Sequence, residues 1–254
     1  MYTNNRQPLI LEYIRKKKII KVNELSEYFN VADMTVRRDL MFLEKNGLII
    51  RTHGGAMLYD YMSNSESTFV SRQIQNLTEK RIIAEKAISF IDDNQSIYID
   101  GSTTCNEIAK IIPQKKNITV FTDSIAALLE LRDKLEDANI VLTGGELAGD
   151  NNTLDGYIAV EMAQKICVDI GFISCGGFSD EGITNMGLIG IQVKKTILNN
   201  AKTRILAADS SKYNKRCTYT LSDWDKIDYF ISDSGLDAEA VKKIEKKDIK
   251  VIIA

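Results

Sequence analysis

The sequence predicts two α/β units in series: a small winged helix-turn-helix, then a larger domain on a mostly parallel sheet. Three observations support this. Apolar residues recur at helical spacing up to about residue 45 and then run into a hairpin pattern; seven short apolar runs alternate with helical stretches in the remainder; and charge divides unevenly along the chain. A length of 254 residues exceeds the usual single-core size of roughly 100 to 200 residues, so a second core is expected. Residues 1–58 hold ten Lys or Arg against six Asp or Glu, a net +4, and since the whole chain carries −2 the remainder carries −6. A basic first unit suits phosphate contact, whereas an acidic body is repelled by nucleic acid and is expected to do something else.

In the small unit, a helix over about residues 7 to 17 gathers Ile10, Tyr13 and Ile14 on one side. Asn23 stands where it can cap a second short helix whose Leu25, Tyr28 and Phe29 face inward, and Asn30-Val31-Ala32 leaves room only for a tight turn. Asp33 can cap a third helix, Val36, Leu40 and Leu43 form its buried stripe, and Gly47 can end it. Met34, Thr35, Arg37 and Arg38 are left outward. Leu48 to Thr52 and Ala56 to Leu58 flank His53-Gly54-Gly55 as a two-stranded wing. In such a unit the second helix of the turn enters the major groove, where arginine offers a fork to guanine and threonine touches a thymine methyl. Arg51 and His53 lie two apart on one wing face and reach phosphates or the minor groove, while Gly54 and Gly55 allow close backbone approach. The expected DNA-contacting set is therefore Asn23, Met34, Thr35, Arg37, Arg38, Arg51, His53, Gly54 and Gly55. A pair of arginines on a helix is ordinary by itself; helix, turn, helix and wing together make the case.

Residues 59–76 turn polar and patternless and are expected to be a linker between a domain at 1–58 and one at 77–254. In the latter, a stripe of Ile83, Ala84, Ala87, Ile88 and Ile91 precedes strands at about 96–99, 118–121, 139–142, 170–173, 204–207, 229–231 and 250–253. Their alternation with helices implies right-handed crossovers and a ligand beyond the carboxyl ends of the strands. The loops leaving those ends are small and polar. Asp100-Gly101-Ser102-Thr103-Thr104 offers hydroxyls and N–H groups at a helix start, where an anion is favoured. Thr122-Asp123-Ser124 can cap its helix or complete the same anion nest, Gly144-Gly145 permits close main-chain approach, and Lys212 brings an ammonium able to meet a phosphate. Asp100 is expected on sugar hydroxyls. Ser, Thr and Asp are common caps and Gly-Gly a common turn, so convergence at one sheet edge is what singles these loops out.

Residues 6–58 resemble the N-terminal domain of the DeoR family of bacterial transcription regulators. The resemblance lies in Thr35-Val36-Arg37-Arg38-Asp39-Leu40, Leu43-Glu44, Gly47-Leu48 and His53-Gly54-Gly55-Ala56. It continues through Phe69 with Arg72, Lys80 with Ile83-Ala84, Asp100 to Thr104, Thr122-Asp123-Ser124, Gly144-Gly145-Glu146-Leu147, Gly176-Gly177 and Asp209-Ser210-Ser211-Lys212. These resemble that family's sensor domain, which is similar in fold to ribose-5-phosphate isomerase and coenzyme A transferases. The resemblance implies a transcriptional repressor whose effector is a phosphorylated sugar. Two positions depart from the family pattern: Gly190, Ile191 and Gln192 stand before Val193-Lys194 where acidic residues are usual, and Asp123 stands where asparagine is common.

No cofactor and no catalytic residue are expected. Four cysteines without a Cys-x-x-Cys pair and a single histidine spell no metal site and suit reduced, packed thiols. Without an apolar run near 18 residues or a leader-like start, no membrane partner is expected and the location is the cytoplasm. The expected partners are a double-stranded DNA operator, a small phosphorylated sugar and further copies of the chain as a dimer or tetramer, because one small winged unit buries little surface on DNA. The competing reading is a sugar-phosphate isomerase carrying a DNA-binding domain, with Asp100 and Lys212 moving protons. It lacks a second carboxylate in a recognisable motif beside Lys212.

Overall fold

The computed structural model describes residues 3–17, 19–46, 48–52, 54–58, 69–113, 115–132, 134–135, 138–148 and 152–254. They form two compact units, Met1–Leu77 and Thr78–Ala254.

The first unit runs α1 (Thr3–Lys17), β1 (Ile19–Lys21), α2 (Val22–Phe29), α3 (Asp33–Lys45), β2 (Ile49–Thr52), β3 (Gly55–Leu58) and α4 (Phe69–Ile74). Ile10, Leu11, Ile14, Leu25, Val36, Leu40 and Leu43 close one core, as their spacing requires. Tyr28 does not join it: it is 63% exposed and its ring lies tilted against that of Tyr13, with centroids 4.5 Å apart. Helix α2 ends on Asn30, whose left-handed φ of 50° returns N–H groups to the last turn, a conformation asparagine tolerates. Two expected caps are otherwise engaged. Helix α2 starts one residue before Asn23, whose side chain accepts from the Glu24 N–H; Asp33 lies inside α3 and accepts from the Ser26 hydroxyl at 2.6 Å, tying the helices across the turn. The wing has three strands in the order β1-β3-β2, because Ile19-Ile20-Lys21, too short to stand out in the sequence, pairs with β3. Part of the expected linker is helical: Phe69 and Ile74 of α4 are buried, an apolar pair five apart that a polar-looking stretch concealed. Residues 59–68, Gly47 and His53 lie outside the described residues.

The second unit opens within α5 (Leu77–Ala87), at Thr78, and is built on a seven-stranded sheet in which every neighbouring pair is parallel. Its strands are β4 (Ser96–Ile99), β5 (Thr119–Thr122), β6 (Asn139–Leu142), β9 (Val168–Ile173), β12 (Ala201–Ala207), β14 (Tyr229–Ser232) and β15 (Lys250–Ile253), in the order β15-β14-β12-β9-β4-β5-β6. All seven coincide with sequence-predicted strands to within a few residues. Alternate residues feed opposite faces. Ile97, Ile99, Ile205 and Ala207 pack with α5, α6 (Thr103–Ile111) and α7 (Ile125–Arg132). Tyr98 packs under α8 (Tyr157–Gln164) and α9 (Ile191–Asn200). Leu206 and Phe230 pack with Phe178, Trp224 and α10 (Ala238–Glu245).

Two antiparallel additions were not predicted. A hairpin of β7 (Glu146–Ala148) and β8 (Thr153–Asp155) comes after β6, and β10 (Gly177–Ser179), β11 (Gly182–Asn185) and β13 (Tyr219–Ser222) form a three-stranded sheet. Among the described residues no helix is long and apolar enough to cross a membrane.

Candidate nucleic-acid interface and sensor site

Helix α3 turns Val36, Asp39, Leu40 and Leu43 inward and leaves Met34, Arg37 and Arg38 exposed, with Thr35 half-buried. The buried acid is Asp39, which accepts from Arg6 Nε at 2.6 Å and Gln7 Nε2 at 3.1 Å. Asp39, next in the chain after the two outward arginines, therefore locks α3 to α1, and only its neighbours face solvent. Arg51 is half-buried on β2, with Nη1 3.9 Å from Glu44 Oε2, so its guanidinium lies beside α3. Gly54 is open, with φ +87° and, among the described residues, nothing within 4 Å of where a Cβ would lie. Gly55 is not open: a Cβ there would lie 2.0 Å from the Ile20 carbonyl, so this glycine admits β1.

In the second unit the loops after β4, β9 and β12 converge on Ser174. Its N–H donates to Asp100 Oδ2 at 2.8 Å, its carbonyl accepts from Lys194 Nζ at 2.9 Å, and its hydroxyl accepts from Lys212 Nζ at 3.2 Å. Lys194 Nζ also lies 2.8 Å from Asp100 Oδ2, and the Ser102 N–H donates to Asp100 Oδ1 at 2.9 Å. Burial opposes ionisation of Asp100, but the charge and hydrogen bond of Lys194, with the bonds from Ser102 and Ser174, overcome it and hold its pKa below the usual value. Asp100 is fully buried and its oxygens are engaged by protein donors, so it braces the loops; this geometry does not favour the expected contact with sugar hydroxyls. Lys194 was absent from the predicted set. Its signal was a lysine at 194 on an apolar stripe of Ile191, Ile197 and Leu198, where a buried charge requires a partner.

Several predicted hydroxyls are used internally. Ser102 caps α6 by accepting from the Cys105 N–H at 3.1 Å, Ser124 caps α7 by accepting from the Ala127 N–H at 3.1 Å, and Thr122 donates to the Ile99 carbonyl at 2.7 Å. Two glycines admit protein rather than ligand: a Cβ on Gly101 would lie 2.4 Å from Thr153 Oγ1, and one on Gly145 2.4 Å from the Asp155 carbonyl. Gly144, at φ +74°, is left with only Ile158 within reach. The same edge holds the first turn of α6, where the N–H groups of Thr103 and Thr104 have no intrahelical acceptor, the Thr104 hydroxyl, buried and without a hydrogen-bond partner among the described residues, and Lys212, whose Nζ, besides its bond to Ser174, is 3.7 Å from Asp209 Oδ2.

Asp123 is the anomaly of the site. It is fully buried, and among the described residues neither carboxylate oxygen has a hydrogen-bond partner, nor does the Tyr98 hydroxyl. Burial first, then the charge of Asp100, raise its pKa to about 7. Lys194 also attracts Asp123, but it is matched first to Asp100 at 2.8 Å and does not offset burial and the Asp100 charge.

Residues 6–61 match the DeoR-like helix-turn-helix domain and residues 75–234 the DeoR C terminal sensor domain. The chain belongs to the DeoR family. An HTH-type transcriptional regulator of Haemophilus influenzae is 34% identical over 100% of this chain and 98% of its own length. The regulator YulB of Bacillus subtilis is 35% identical over 99% of this chain and 96% of its own, and GolR of Listeria innocua is 29% identical over 100% of both. This DeoR-family chain is accordingly a helix-turn-helix transcriptional regulator with a sensor domain, and not an enzyme. Among solved structures, ribose 5 phosphate isomerase A from Neisseria gonorrhoeae aligns with 54% of this chain and 53% of its own at 17% identity and a TM-score of 0.37.

Proposed function

We propose that this regulator represses sugar-metabolism genes and that a phosphorylated sugar at the carboxyl edge of the parallel sheet sets its affinity for operator DNA. The convergence of three strand loops on Ser174 carries the reading. It brings Lys212 to the edge that holds the first turn of α6, pairing a point charge with N–H donors and a helix dipole, a combination suited to phosphate. Asp100 and Lys194 keep that edge in register. The relatives support the sugar theme, since they include one named as a putative aga operon transcriptional repressor and one named as an L-fucose operon activator. The regulator acts in the cytoplasm as a homo-oligomer, because two DNA-reading heads are needed for useful affinity on a repeated or palindromic site. A differential effector affinity of about 1 to 3 kcal/mol between DNA-competent and DNA-incompetent states changes occupancy roughly 5- to 150-fold.

The test is binding to duplex DNA from the gene's own upstream region at fixed salt, with and without a panel of sugar phosphates. One sugar phosphate is expected to shift affinity about tenfold, and Arg38→Ala to weaken DNA binding while leaving that sugar phosphate bound. Unchanged DNA affinity with every sugar phosphate, or an Arg38→Ala protein that binds DNA like the parent, would refute the corresponding half.

A further inference from the structure

The inward set of α3, Val36, Asp39, Leu40 and Leu43, fixes which line of residues points directly away from the core. At 3.6 residues per turn, that line is Met34, Arg38, Met41 and Lys45, spaced i, i+4, i+7 and i+11. Arg37 lies on its flank. Met34 is 64% and Met41 50% exposed, so two methionines stand in water on either side of an arginine. The acids beside the stripe are engaged: Asp33 accepts from Ser26, and Glu44 lies 3.9 Å from Arg51. The outward face is therefore cationic with apolar tips.

We infer that Met34 and Met41 read thymine methyl groups on either side of a guanine bound by Arg38. This rests on the DNA-binding reading and deepens it. In the major groove only thymine offers a methyl group, while guanine offers the acceptor pair that matches arginine. Methionine suits the methyl because its unbranched, polarisable thioether adapts to a small apolar knob. The reach also fits. Met34 to Met41 spans about 10 Å along the axis at about 1.5 Å per residue, which is close to three base pairs at about 3.4 Å each. Lys45, one turn further on, falls toward the backbone as a phosphate contact. An apolar protein partner on this stripe would leave Arg37, Arg38 and Lys45 without matching charge.

The experiment starts from a duplex enriched out of a random library by the full-length protein. Each thymine in a half-site is then replaced by deoxyuridine, which removes only the 5-methyl group. One replacement on each side of the guanine is expected to weaken binding about fourfold, matching about 0.8 kcal/mol for one buried methyl-sized group. Met34→Ala should become insensitive to one of these replacements and Met41→Ala to the other, while Met41→Leu keeps its sensitivity. Both side chains are largely exposed, and unchanged melting of the variants confirms an intact fold. Uridine replacements that cost nothing, or alanine variants that keep the full methyl sensitivity, would overturn the inference while leaving DNA binding standing. Failure to enrich any sequence would overturn the DNA reading beneath it as well.

Discussion

Asp123→Asn should stabilise the sensor unit, and the gain should grow with pH. The carboxyl is fully buried and its pKa rises from 3.8 to about 7 through burial and then the charge of Asp100. Between those two values the folded state holds a proton that the unfolded chain releases, so stability falls as pH rises from 3.8 to about 7 and stays at its lower level above that. A shift of about 3 units at about 1.4 kcal/mol each places the full penalty near 4 kcal/mol at pH 8, with less than half of it present at pH 5. Asparagine keeps the shape and removes the charge. The pH-dependent part, about 2 to 3 kcal/mol, corresponds to about 5 to 10 °C of melting temperature in a unit of this size. Thermal unfolding of parent and variant between pH 5 and 8, monitored by circular dichroism or calorimetry, reads the effect as two curves that diverge toward alkaline pH. Parallel curves would show that Asp123 finds a counter-charge or solvent in the folded protein, and would remove the uncompensated acid from this account.

Two further predictions concern the division of labour between the units. Asp39→Ala leaves Arg6 buried without its partner at a cost of about 3 to 5 kcal/mol, so the winged unit should unfold and DNA binding vanish while the melting of the sensor unit is unchanged; full DNA affinity in this variant would refute the locking role. Lys212→Ala should preserve DNA binding and weaken the response to the sugar phosphate about tenfold or more, as expected for a charged hydrogen bond to phosphate, and an unchanged response in the same titration would take Lys212 out of the site.

The sequence determined the secondary elements whose periodicity is strong. The stripe Val36, Leu40, Leu43 and the strands Ser96–Ile99, Asn139–Leu142 and Lys250–Ile253 are local patterns, because a helix or a two-sided buried strand announces its own burial through spacing. The outward position of Arg38 comes from the same stripe. Strand β1 and the hairpin of β7 with β8 left no such mark, since three-residue strands are stabilised by their partners rather than by their own pattern.

Partnership was decided by the tertiary structure. Asp39 and Asp100 each read as an acid in a polar motif, and both are internal braces, for Arg6 and for Lys194, which are remote in sequence and near in space. Ser102 and Ser124 read as ligand hydroxyls or caps, and the fold made them caps. Residue type and spacing therefore indicated where charge and hydroxyls gather, at one helix face and one sheet edge. Which of those groups remain available depends on neighbours brought in by chain crossings, because a hydrogen bond or ion pair already satisfied inside the protein no longer faces a ligand. Asp123 shows the reverse: in the sequence it stands out only as an acid where asparagine is common, and the packing around it is what buries that acid beside Asp100, with Lys194 matched first to Asp100.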